Sequence, residues 1–140
     1  GDLQNNPLDI LNLLNHYSSN DYSLVGGLRL SRKDNYIKII SSKIANKIRN
    51  FILKDNCLDT GCSLKIFDRK LFLSFPFFDG MHRFLPALFL GYGAKTFFIP
   101  VDHRPRISGV SKYGTLKRLF RGIIDIFKVK TIIRRKKYYG

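Results

Sequence analysis

The chain has 140 residues and a mass of 16.2 kDa, the size of one domain. Its hydrophobic content of 44% and aromatic content of 14%, with 12 Phe and 7 Tyr, exclude a disordered or low-complexity segment. The net charge is +15, from 25 Lys and Arg against 10 acids, and that excess calls for a polyanion: nucleic acid, an anionic membrane surface or a phosphorylated substrate.

In chain order, Pro7 to His16 reads as a helix, with Leu8, Ile10, Leu11 and Leu14 at helical spacing and Asn5 or Asn6 as cap. Tyr22 to Val25 reads as a short buried strand closed by Gly26-Gly27. Asn35 to Leu53 reads as a long amphipathic helix with Ile39, Ile40, Ile44, Ile48, Phe51 and Ile52 on one face. Gly61 to Phe67 reads as a strand, Met81 to Leu90 as a helix ended by Gly91 and Gly93, and Lys95 to Val101 as a strand. From Thr115 to Arg135, Leu116, Leu119, Phe120, Ile123, Ile124 and Phe127 form one apolar stripe, with Lys117, Arg118, Arg121 and Lys128 away from it. Such a helix either covers a core with a solvated basic face or lies in a membrane interface with its cations at anionic headgroups. Helices alternating with strands indicate an α/β fold.

Cys57 and Cys62 stand at C-x4-C spacing with no second pair and no nearby His, so two reduced thiols, one or both buried, are expected rather than a disulfide scaffold or zinc site. No apolar run approaches the roughly 20 residues of a membrane span. The chain opens without a basic leader and without an initiator Met, which predicts that it is cut from something longer. Charge is uneven: residues 1–28 hold three Asp and no Lys or Arg, whereas residues 103–140 hold twelve Lys or Arg and one acid, Asp125. The first end suits a cation, the last end anions.

Three clusters carry chemistry. Asp2 and Gln4 put a carboxylate and an amide oxygen just before a helix, where they either hold a hard divalent cation or act as solvated or capping residues. Asp59, in a polar turn with Gly61 that runs into a strand, is either a site carboxylate or a turn residue bonding its own backbone. Arg104 to Gly114 contains two Arg, one Lys, two Ser and two Gly between a strand and a helix, and is either a loop that closes over phosphates or a surface loop with scattered basic charge.

Taken together the clusters resemble family 2 glycosyltransferases of the GT-A type, in particular the dolichol- and polyprenol-phosphate sugar transferases, mannosyltransferase-like enzymes included. Gly1 to Ile10 resembles the end of that family's D-x-D-L-Q motif and the helix after it. Val25 to Asp34 resembles its G-x-R-x-x-R-x-D stretch, and Asp59-Thr60-Gly61-Cys62-Ser63-Leu64-Lys65 its D-T-G-C-x-L-K motif. Gly80 to Leu88 resembles its acceptor-side helix, and Val101 to Tyr113 its closing V-x-H-R-x-R-x-x-G-x-S-K-Y loop. The first Asp of D-x-D precedes Gly1, so the chain is expected to be a fragment without the nucleotide-binding half. Residues 1–114 would be the C-terminal part of a GT-A catalytic domain, Rossmann-like with a mixed sheet, and residues 115–140 a basic amphipathic helix and tail at the membrane surface. The isolated fragment would be inactive and poorly soluble.

The resemblance implies inverting transfer of a sugar from a nucleotide-diphosphate donor, GDP-mannose or a UDP-sugar, to a polyprenyl or dolichyl phosphate. It implies a divalent metal, Mg²⁺ or Mn²⁺, at Asp2 and Gln4, and donor and acceptor phosphates at Arg29, Arg32, Arg106, Ser111 and Lys112. Asp59 would orient the sugar or shape the site rather than act as a base, beside Arg106 and Lys112; His82 and Arg83 would face the acceptor entrance, with a core or helix-surface role as the alternative for His82. The expected partners are the nucleotide-sugar donor, the lipid-phosphate acceptor and an anionic membrane surface on the cytoplasmic face, held peripherally. No specific nucleic acid is expected, because no helix-turn-helix, zinc-finger or ribonucleoprotein signature accompanies the charge. The rival reading is a non-catalytic basic module for a membrane surface or nucleic acid.

Overall fold

Val25, Gly26 and Gly27 run through the middle of the central strand of a computed structural model that describes residues 6–19, 21–29, 36–55, 57, 62–102 and 115–139. The elements are α1 (Pro7–Ser19), β1 (Leu24–Arg29), α2 (Tyr36–Leu53), β2 (Lys65–Phe67), α3 (Arg69–Ser74), a 3₁₀ turn (Met81–Phe84), α4 (Leu85–Gly91), β3 (Thr96–Val101) and α5 (Thr115–Tyr139). Among the described residues the sheet has the order β2-β1-β3. β1 and β3 are parallel, from Leu24 opposite Thr96 to Arg29 opposite Val101. β1 and β2 are antiparallel, with Leu24 opposite Phe67 and Gly26 opposite Lys65. The α/β expectation is met as a mixed sheet with helices on both faces.

Successive residues of β1 feed opposite cores, as the pleat of a strand requires. Val25 packs with Leu13 of α1, Cys62, Ile99 and Val101. Leu24 belongs to the other core, with Phe75, Phe84, Leu88, Phe89, Ile126 and Val129. There Phe75 meets Phe89 edge-on at 5.1 Å and Tyr92 edge-on at 4.7 Å. Neither cysteine forms a disulfide and both are buried, in line with the expectation of reduced thiols.

Several boundaries move. Gly26 and Gly27 do not close β1; the strand continues to Arg29, paired with β3 as far as Val101, and its neighbours leave no room for side chains at the two glycines. A Cβ on Gly26 would lie 3.0 Å from the Phe98 ring, and one on Gly27 2.9 Å from Val101 and 3.0 Å from the Cys62 sulfur. The helix expected over Met81 to Leu90 begins as a 3₁₀ turn, and Gly91 stays inside α4. Gly93, at φ 84°, makes the left-handed turn out of it, and the Ala94 N–H reaches back to the Phe89 carbonyl. β2 is confined to three residues. α3 has no counterpart in the sequence reading; the Asp68 carboxylate caps it by accepting from the Leu71 N–H at 2.7 Å.

The buried faces of the helices also differ from the periodicity. Asn6 caps α1 as read, its side-chain oxygen accepting from the Leu8 N–H at 3.1 Å, but α1 buries Asp9 and Leu13 and leaves Leu8, Leu11 and Leu14 exposed. α2 buries Arg49 and exposes Ile40, Ile44, Ile48 and Phe51, because Arg49 is drawn inward by the buried Asp55, 3.0 Å from its Nε. Its guanidinium also donates to the Cys57 carbonyl, and Asp55 Oδ1 accepts from the Cys57 N–H at 3.1 Å. α5 sends Asp125, Ile126 and Val129 inward, while Phe120, Ile124 and Phe127 of the expected stripe are 70%, 50% and 56% exposed. Among the described residues no helix is long and apolar enough to cross a membrane.

Candidate functional site

The parallel pair β1 and β3 ends together at Arg29 and Val101, and open α/β sheets hold ligands beyond such carboxyl ends. Two further stretches of chain meet this edge. The Asp102 N–H donates to Asp9 Oδ2 at 3.1 Å and the Asn6 amide donates to Asp102 Oδ2 at 3.3 Å, which pins the start of α1 to the end of β3. β2 runs antiparallel, so its start lies at the same edge; the Leu64 carbonyl accepts from Gly27 at 2.9 Å. Cys62 is buried there against Gly27 and Val101, and the Lys65 ammonium donates to the Cys62 carbonyl.

Asn6, Arg29, Cys62 and Asp102 therefore gather at one edge. Each adjoins a segment that carries sequence-predicted site residues: Asp2 and Gln4, Arg32, Asp59, and Arg106 with Ser111 and Lys112 respectively. Those seven residues lie outside the described residues. Arg29 is half-buried at the end of β1. Among the described residues no group of three or more His, Cys, Asp or Glu is arranged to hold a metal ion.

His82 and Arg83 lie on the 3₁₀ turn. The His82 ring is exposed, yet what burial it has pushes its pKa below the ordinary value, helped by the cations of Arg83 and Lys65 and opposed by Asp79. Arg83 is turned toward α5: its Nη2 donates to Asp125 Oδ2 at 3.1 Å, with the carboxylate 5% exposed. The exposed pair of Arg121 and Asp79, 2.6 Å apart, ties the same turn to the same helix one turn earlier. Gly80, at φ 85°, lets the chain reverse between them, and a Cβ there would stand 3.0 Å from the Arg83 guanidinium. Asp79 and Asp125 did not figure in the sequence reading of the site, and Lys65 figured only as the last residue of the D-T-G-C-x-L-K motif. Asp125 carried a signal, as the single acid among residues 103–140.

No protein-family model matches the chain, and no solved structure matches it. Curated relatives do. A dodecaprenyl-phosphate galacturonate synthase of Rhizobium johnstonii is 36% identical over 143 aligned positions, covering 100% of this chain and 42% of the relative. An undecaprenyl-phosphate 4-deoxy-4-formamido-L-arabinose transferase of Pectobacterium atrosepticum is 33% identical over 83% of this chain and 35% of its own length. The enzyme of that name from Yersinia pestis is 29% identical over 93% of this chain and 39% of its own length. The chain thus spans 35 to 42% of the length of these relatives. By a similarity that reaches from end to end, the chain is related to a segment of the polyprenyl-phosphate sugar transferases, which are family 2 glycosyltransferases.

Proposed function

We propose that the protein containing this chain transfers a sugar, with inversion, from a nucleotide-diphosphate donor to a polyprenyl phosphate at a membrane surface, and that the chain is the C-terminal part of its GT-A catalytic domain. The observation that carries this reading is the gathering of Asn6, Arg29, Cys62 and Asp102 at the carboxyl edge of β1 and β3, since the motif residues adjoin these four. The relatives' names supply the acceptor class.

The chemistry asks little of a base. A polyprenyl phosphate is already anionic, so its oxygen attacks the anomeric carbon as the bond to the donor diphosphate breaks. The departing diphosphate gains negative charge, and Arg106 and Lys112 meet that charge as positioned donors, with Ser111, Arg29 and Arg32 on the remaining phosphate oxygens. Asp59 accepts from sugar hydroxyls and orients the ring rather than taking a proton. The oxygen donors of Asp2 and Gln4 suit a hard cation, Mg²⁺ or Mn²⁺, which supplies charge neutralisation on the diphosphate when bound. His82, neutral at pH 7, and Arg83 flank the acceptor entrance beside Lys65. α5 rests on the cytoplasmic face of the membrane, with Phe120, Ile124 and Phe127 in the interface and its Lys and Arg at anionic headgroups.

The test is Arg106→Ala in the full-length protein, assayed with its native lipid phosphate. Transfer is expected to fall by about a hundredfold or more, as for loss of a transition-state donor, with the melting temperature unchanged. Unaltered turnover would overturn the site assignment.

A further inference from the structure

At the opposite end of the sheet from the candidate site lies a second feature, a cavity of about 600 Å³ between the ends of α2 and α4 and the last turns of α5. Its location follows from α4, whose last residues Leu90 and Gly91 line it and whose chain leads through Ala94 into the start of β3. The volume falls in the range of small-molecule pockets, about 300–1,000 Å³. The floor is apolar, formed by Leu53, Leu90 and Ile133. Gly91 lets α5 come close: a Cβ there would lie 2.5 Å from Ile133.

The rim is of another character. Lys54, Lys130, Arg134 and Lys137 surround the apolar floor, all four exposed. Among the described residues none of the four pairs with a carboxylate. The C-terminal ends of α2 and α4 each contribute about half a negative charge, far less than four full cations. Lys130, Arg134 and Lys137 recur at i, i+4 and i+7, so one face of α5 points three cations at one place. Four unneutralised cations around an apolar pocket fit neither a neutral apolar ligand nor a bare hydrophilic anion. They fit a molecule with an anionic head and an aliphatic body.

We infer that the cavity between α2, α4 and α5 binds a phosphate ester bearing an aliphatic chain, its phosphate held by Lys54, Lys130, Arg134 and Lys137 and the first part of its chain lying on Leu53, Leu90 and Ile133. Two sources share this chemistry, an anionic membrane phospholipid and a polyprenyl phosphate. The cavity includes no residue of the candidate catalytic edge, so occupancy there is separate from transfer.

Calorimetric titration of the full-length protein that contains this chain tests this with four probes: dihexanoylphosphatidylglycerol and farnesyl phosphate, each below its micelle concentration, dihexanoylphosphatidylcholine, and inorganic phosphate. Saturable binding is expected for at least one of the first two, and whichever binds tighter names the source. The variant Lys130→Ala/Arg134→Ala/Lys137→Ala should weaken that binding by about tenfold or more, as loss of charge-assisted bonds requires. Lys43→Ala/Lys47→Ala/Lys70→Ala removes the same charge from exposed positions elsewhere and should change it by about threefold or less. Equal weakening in the two variants would reduce the effect to net charge and overturn the inference. So would binding of phosphate or the zwitterionic lipid as tight as that of the anionic amphiphiles, or no saturable binding. The substituted side chains are exposed, and circular dichroism verifies that both variants fold.

Discussion

Arg83 Nη2 and Asp125 Oδ2 stand 3.1 Å apart, 42 positions apart in sequence, and join the turn before α4 to the middle of α5. The bond takes a residue assigned to the acceptor entrance and makes it also the anchor of the helix assigned to the membrane surface. The turn before α4 and the middle of α5 thus share one ion pair, and under the proposed function it would couple the acceptor entrance to the membrane-facing helix.

The charge pairs of this protein rank by burial. Arg49→Ala leaves the Asp55 carboxylate, 0% exposed, without its partner, and should cost about 3–5 kcal/mol. Asp125→Ala removes a partner from an Arg83 side chain that is 33% exposed, so solvent screening lowers the expected cost to about 1–2 kcal/mol. Arg121→Ala breaks an exposed pair and should cost about 0.5 kcal/mol or less. Denaturant unfolding of the three variants measures the order; a cost for Arg121 equal to that for Arg49 would contradict it.

Two glycine-to-alanine changes should have opposite signs. Gly27→Ala forces a methyl to within 2.9 Å of Val101 in the sheet core and should destabilise by about 1–3 kcal/mol. Gly122→Ala, in the interior of α5, meets nothing within 4 Å and should stabilise by up to about 1 kcal/mol through helix propensity. Thermal unfolding of the pair reads both signs directly.

The folded state holds the pKa of His82 below its unfolded value of 6.5, so folding disfavours its proton. The unfolded chain then binds more protons than the folded one as pH drops through 6.5, and stability should decline until the pH passes the lowered folded value. Melting temperatures taken from pH 7.5 to 5.5 should fall, and His82→Gln should flatten the part of the slope due to this residue. An identical slope in the variant would assign the pH dependence to other groups.

Membrane association by α5 predicts a specific loss. Phe120→Ser/Phe127→Ser changes two side chains exposed at 70% and 56%, so folding should survive. Co-sedimentation with phosphatidylglycerol vesicles should fall by about tenfold or more, since each ring buried in the interface contributes on the order of 1.5 kcal/mol. Undiminished sedimentation would show that the Lys and Arg alone hold the helix to the surface.

What the sequence by itself determined is the set of elements that local rules control. Asn6 before Pro7 reads as a cap because a side-chain oxygen two residues from a free N–H suffices. The strands around Val25 and Phe98, and helices α1, α2, α4 and α5, follow from runs of apolar and β-branched residues. α3 was not legible, since its six residues are too few for any periodicity and its cap, Asp68, looks like any loop Asp. The motif residues of the loop from Arg104 to Gly114 suggest anion binding by composition alone, and they lie outside the described residues.

Tertiary structure decided which face of each helix is covered. Apolar spacing singles out Ile40, Ile44 and Ile48 of α2, yet Arg49 is the residue buried, because Asp55 and the Cys57 carbonyl satisfy its guanidinium inside the fold. The same holds for α5, where Arg83 drags the Asp125 side inward and leaves Phe120 and Phe127 outside. A buried polar group must find partners at distances of about 3 Å, often from residues remote in sequence, and periodicity carries no information about such partners. The glycines of β1 are of the same kind: Gly26-Gly27 reads as a strand end until Phe98, Val101 and Cys62 are packed against them, after which only a residue without a side chain fits.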